Sequence, residues 1–355
     1  MIPINQSPVI FMKIRSSHAL FCRCLVLLAA LCCAASASAQ QMPQDNWRYD
    51  GLQFADPTNN VLRSIAIGSG GVYAGEVNGG SPTKVIQFTE GGVFVRRFTA
   101  TFTFILGIAC DPAGNVYVLD RGDSRVKIFD QNGTFIRQWG GAGTADGLFS
   151  LASANAVSML AVDKNSQVYV CDSGNTRVQV ISSTGTFVRK WGSIGSLPSQ
   201  FSSGNPTWIA WSPNGELYVA NNGAGNLSAY AEDGTFLRSG SPGYFSYGYT
   251  TSPDGLLVTM YHGAGYLYVL DSNFANVASY GSGFDNGVYY GVAVSKRGDI
   301  YAISSDTTHI RVYEREYSNV QNSLLPPALP QPVVLSATQR AGTSLMDIEI
   351  GRAHV

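Results

Sequence analysis

Val116-Tyr-Val-Leu-Asp-Arg-Gly-Asp-Ser-Arg-Val126 is answered 52 residues later by Val168-Tyr-Val-Cys-Asp-Ser-Gly-Asn-Thr-Arg-Val178. The match continues downstream, where Asn132-Gly-Thr-Phe-Ile-Arg-Gln-Trp-Gly140 returns as Thr184-Gly-Thr-Phe-Val-Arg-Lys-Trp-Gly192. Upstream, Gly107-Ile-Ala-Cys-Asp-Pro-Ala-Gly114 is matched by Leu160-Ala-Val-Asp163. Short alternating apolar runs broken by Gly, Asn and Asp are strand and turn signals. Repetition at this scale indicates a propeller or a solenoid array.

Working outward, further copies appear on both sides. Ile65-Ala-Ile, Val72-Tyr-Ala-Gly, Lys84-Val-Ile-Gln-Phe and Gly92-Val-Phe-Val-Arg96 form a first repeat. Three later ones begin at Ile209-Ala-Trp, Ser252-Pro-Asp-Gly and Val292-Ala-Val. Taking Phe94, Phe135, Phe187, Phe236, Val277 and Val320 as markers of the fourth strand, the steps are 41, 52, 49, 41 and 43 residues. Tyr-Val-x-Asp-x-Gly-x-x-Arg-Val followed by Gly-Thr-Phe-x-Arg resembles the NHL-repeat family of β-propellers. The resemblance implies an all-β fold, a six-bladed β-propeller of four-stranded antiparallel blades over 61–323. The lead-in 40–60, with Trp47 and Phe54, is a second source for an outer strand that closes the ring and hides a sheet edge.

The turns have local causes. Asp111, Asp163, Ser212, Ser252 and Ser295 can accept a backbone N–H and start the turn between strands one and two of a blade. Gly92, Gly133, Gly185 and Gly234 supply the left-handed position between strands three and four.

The 355 residues suit one propeller with appendages. Charged residues make up 13% and the formal net charge is -1, so nothing attracts nucleic acid or an anionic membrane in general. Lys13, Arg15 and Arg23, the apolar run Leu25 to Cys33 and Ala37-Ser-Ala39 read as a signal peptide over 1–39, which predicts a secreted, periplasmic or surface-exposed protein; separately, a monomer is expected. Its removal leaves two of the six cysteines, Cys110 and Cys171, either as a bridge or as two separately buried thiols. Beyond the propeller, 324–332 reads as a proline-stiffened linker and 333–348 as the opening of a truncated second β domain. Residues 349–355 match a translated sequencing adapter and are expected to be foreign to the native chain.

Function is written less plainly. Turns joining strands two and three leave a propeller on the same face as the blade-to-blade connections, so that face is the one to search. It carries Asp120 with Arg125 and Asp172 with Arg177, either a charged ligand rim or pairs that fix the turns. Blades four to six depart from the consensus there and collect Tyr247, Tyr249, Tyr261, His262, Asp285, Tyr289 and His309. Such side chains combine apolar area with a polar tip and suit a protein, peptide or glycan ligand, although aromatic filling between blades is the alternative. Resemblance to propeller lyases implies a second reading, a lyase or lactonase with His262 and His309 at the channel mouth and Tyr261 as acid or base. Neither histidine stands in a metal-ligand spacing, no cofactor is expected, and calcium is left open. The Arg96, Arg137, Arg189 and Arg238 series is assigned to outer blade surfaces. RNA binding is disfavoured by the export signal and the charge balance.

Overall fold

The computed structural model describes residues 46–55, 61–77, 83–151, 159–195, 197, 199–201, 205–221, 226–242, 246–261, 266–280, 291–303, 309–316, 334–339 and 346–351. The chain divides into two compact units, Asn46–Tyr317 and a second made of the two chain ends. The larger unit opens with β1 (Asn46–Ala55). It continues with blade one, β2 (Val61–Gly68), β3 (Gly71–Val77), β4 (Val85–Phe88) and β5 (Phe94–Arg97). Blade two holds β6 (Ile105–Cys110), β7 (Val116–Asp120), β8 (Arg125–Phe129) and β9 (Phe135–Gly140). Blade three holds β10 (Leu160–Val162), β11 (Val168–Asp172), β12 (Arg177–Ile181) and β13 (Phe187–Trp191). Blade four follows with β14 (Pro206–Trp211), β15 (Glu216–Asn221), β16 (Asn226–Ala231) and β17 (Phe236–Gly240). Blade five has β18 (Ser246–Thr251), β19 (Leu257–Tyr261), β20 (Leu267–Leu270) and β21 (Asn276–Tyr280). These are antiparallel meanders, and with a sixth blade they make a six-bladed β-propeller.

The sixth blade departs from the repeat count. Its sheet runs β1, β24 (His309–Glu316), β23 (Ile300–Ile303), β22 (Val292–Val294), so its outermost strand comes from the start of the unit. The repeat markers put that strand at Ser318 to Val320. Those residues lie outside the described ones, and a strand has two edges: β24 pairs with β23 on one and with β1 on the other, from Asn46↔Glu316 to Ala55↔His309. Trp47 anchors the joint, donating its indole N–H to the Gly298 carbonyl at 2.8 Å while Arg315 lies over its ring. The smaller unit shows one antiparallel hairpin, β25 (Val334–Gln339) with β26 (Met346–Gly351), whose ladder includes residues 349–351.

Local chemistry explains the repetition. Asp111 and Asp163 each hold their turn through the N–H groups of Asn115 or of Asn165 and Gln167, and each accepts the hydroxyl of a buried tyrosine, Tyr117 or Tyr169, at 3.0 Å. Burial and the adjacent carboxylate push both phenols above their ordinary range. Blade four replaces the aspartate with Ser212 and moves the carboxylate to Glu216, which accepts from Tyr218 at 2.9 Å. The tyrosine is kept while its partner changes position.

Blades lock together through an aromatic ring against a glycine. Gly185, at φ 96°, closes the outer turn of blade three, and a Cβ there would come within 2.9 Å of Trp139 on blade two. Gly92, Gly133 and Gly234 meet Phe54, Phe98 and Trp191 in the same way. The contact between blades four and five is inverted. Phe274 takes the left-handed turn position at φ 65°, and Gly240 stands where the preceding blades carry the ring. A second tie is electrostatic: Arg96 and Arg238 on outer strands donate to the Asn132 and Ser272 carbonyls of the next blade's outer turn at 3.0 and 2.6 Å, and Arg189 likewise to Glu232. Three of the four arginines of the series therefore join blades.

Candidate functional site

The face chosen from the sequence is built by buried carboxylates. Asp172 ends β11 with no exposure and accepts from Ser150 N (2.7 Å), Asn175 Nδ2 (2.9 Å), Arg177 Nε (2.7 Å) and Gln179 Nε2 (2.9 Å). Arg177 continues to the Ala145 and Leu148 carbonyls, fastening the connection that enters blade three. Asp120 does the same for blade two, accepting from Thr103 N, Phe104 N and Gly122 N at 3.0 to 3.1 Å and from Lys127 Nζ at 2.7 Å. Burial alone would lower the Lys127 pKa, but hydrogen bonds and charge from Asp120 and Asp123 outweigh it and hold the ammonium above its usual range.

The two pairs read from the sequence thus differ. Asp172 and Arg177 form an ion pair. Asp120 and Arg125 are cross-strand register partners, yet the ion pair of Asp120 runs to Lys127. Lys127 and Gln179 escaped the sequence reading. The available signal was that they lie two residues beyond Arg125 and Arg177, hence on the same strand face.

The remaining candidates are distributed as follows. Tyr249 sits on β18, 6% exposed, edge-to-face with Trp208 at 6.1 Å. Tyr247 and Tyr261 belong to β18 and β19, and the ladder places Tyr261 opposite Ser246, at one end of blade five. His309 opens β24 opposite Ala55, half-buried. His262, Asp285 and Tyr289 lie outside the described residues. Cys110 and Cys171 are free thiols, and burial pushes both well above the ordinary thiol range. Among the described residues no helix is long and apolar enough to cross a membrane.

A cavity of about 150 Å³ occupies the propeller axis. Its wall is drawn from all six innermost strands: 65–67 of β2, 108–109 of β6, 160–162 of β10, 209–211 of β14, 249–251 of β18 and 292–294 of β22. In β2, β6, β14 and β18 these are the later residues, towards the end where the first turns of the blades leave, and β10 and β22 line it along their whole length. The centre of each segment is Ala66, Ala109, Ala161, Ala210, Thr250 or Ala293. Ala66 belongs to one core cluster with Ile105, Ile108 and Val116 of the next blade, and Ala293 to one with Leu62 and Ile65 of the first, so these small side chains sit where neighbouring blades approach closely. Trp211, Tyr249, Thr250 and Thr251 line the wall in blades four and five. Neither a family model nor a curated protein matches this chain.

Proposed function

We propose that the chain is an exported, non-catalytic binding or scaffold module of the NHL-type propeller class. Its partner is a protein, peptide or glycan, held on the face where the second turns and blade-to-blade connections of blades four to six emerge. One observation supports this reading above others. Asp120 and Asp172 each take four hydrogen-bonding groups, most of them on the turns and connections, so the carboxylates of this face are occupied in stiffening a platform. A stiff frame lowers the ordering cost that loops otherwise meet on binding. Tyr247 and Tyr289 are the side chains to test. A glycan and peptide array probed with the intact chain is expected to show ligands that Tyr247→Ala and Tyr289→Ala no longer retain. Retention of every ligand by both variants, or an empty array, would overturn the proposal.

A further inference from the structure

The axial cavity looks apolar by its side chains, but the register of the blades says otherwise. In five blades the residue opening the first turn donates its N–H across the hairpin, Asp111 to Asn115, Asp163 to Gln167, Ser212 to Glu216, Ser252 to Leu256 and Ser295 to Asp299, at 2.8 to 3.0 Å. In an antiparallel ladder, peptide groups point alternately towards and away from the neighbouring strand. Two residues back, Ala109, Ala161, Ala210, Thr250 and Ala293 therefore also face their second strands. The two-residue turn closing Gly68 on Gly71 gives Ala66 the same setting. The residues between them must turn both N–H and C=O outward. Each innermost strand is the terminal strand of its sheet, so outward means the axis.

The result is two tiers of peptide edges. One tier is Ile65, Ile108, Leu160, Ile209, Tyr249 and Val292. The other lies two residues further along each strand. The Trp211 carbonyl, in the second tier, accepts from Thr251 Oγ1 of the next blade at 2.7 Å, as a carbonyl turned away from β15 should. Among the described residues, no Asp, Glu, Lys, Arg or His lines the cavity. A charged guest would lose its hydration without a countercharge, and a hydrocarbon would leave the amides unpaired. A guest with hydroxyls, each both donor and acceptor, meets the wall on its own terms. Trp211 of blade four is among the lining residues, and its buried indole N–H has no hydrogen-bond partner among the described residues.

We infer that the axis holds a binding site for a small uncharged polyol, entered from the side of the first turns. An engineered protein cavity of comparable volume takes benzene, with its six carbon atoms, so the guest has roughly six non-hydrogen atoms, the size of glycerol. The site stands whether or not the loop face binds a partner. Saturation-transfer NMR on the intact chain, with glycerol as probe, tests it. Transfer to glycerol is expected. In Ala109→Leu and Thr250→Leu, each enlarging a wall residue of a different blade, it should fall at least about fivefold in protein that circular dichroism shows to be folded, whatever the loss of stability from the tighter blade joint. A glycerol soak of wild-type crystals gives an independent readout, with a polyol expected on the axis. Absence of transfer, transfer undiminished in both folded variants, preference for benzene, or an axis holding ordered water alone after the soak would overturn the site.

Discussion

Gly240 and Phe274 show what single residues decide in this ring. Four blade contacts set an aromatic side chain against a turn glycine, and this one exchanges the two, with 2.8 Å between a Cβ on Gly240 and the Phe274 ring. Gly240→Trp should overpack the joint and cost about 1–3 kcal/mol. Phe274→Gly should cost about 3 kcal/mol in lost packing, less roughly 1 kcal/mol of relieved backbone strain. The double variant restores the arrangement of the other blades, so urea denaturation should show it more stable than the sum of the two by more than about 1 kcal/mol. Strict additivity would mean that the residues do not share one space. The buried Asp172 contrasts with the half-buried Arg125, which takes no part in the Asp120 ion pair: Asp172→Ala strands several donors and should lose about 3 kcal/mol or more, whereas Arg125→Ala should stay within about 1 kcal/mol. Glu216 carries the pH dependence. The Arg238 guanidinium, bound at 2.6 and 2.9 Å, and the Tyr218 hydroxyl hold its carboxyl below the usual glutamate range despite partial burial. A depressed folded pKa stabilises above the unfolded value and is lost as pH falls through the folded one. Wild-type stability should thus decline more steeply than that of Glu216→Gln from neutrality to about pH 3, and parallel curves would remove Glu216 from the account. Position by position, the sequence displayed Asp120 and Asp172 but hid the partner, because Arg125 and Lys127 share one strand face and the choice between them depends on the fold of the connection.

At the scale of the element, β1 does most to define the molecule. Its ladder to β24 covers what would otherwise be an exposed strand edge. Trp47 is 6% exposed and packs edge-to-face on Tyr280 of blade five at 5.7 Å, so one residue joins blades five and six. Trp47→Ala should cost about 3–5 kcal/mol and promote aggregation on heating, followed by light scattering. A variant that melts and stays soluble like wild type would contradict the anchoring role. Strands, turns and blade number were readable because five of the six blades repeat Asp or Ser where the first turn opens and most carry Gly at the outer turn. The origin of the last outer strand was ambiguous, since β1 lacks the Gly-Thr-Phe-x-Arg signature and is separated from its partner by over 250 residues.

For the molecule as a whole, closure turns six sheets into a rigid ring with a shared axis. The alternation that lines the axis with peptide groups was not visible in side-chain identity. Ile-Ala-Ile reads as core, and only the hydrogen-bond register shows which backbone edge faces inwards. The most direct test of the ring is a cross-link through its closing ladder. In a background lacking all six native cysteines, Arg48→Cys and Glu314→Cys occupy facing positions of β1 and β24. Mild oxidation should form an intrachain disulfide rapidly and shift mobility on a non-reducing gel, while Arg48→Cys combined with Arg238→Cys, on blade four, should not. No cross-link in the first pair, or equal cross-linking in both, would contradict a ring closed by residues 46–55.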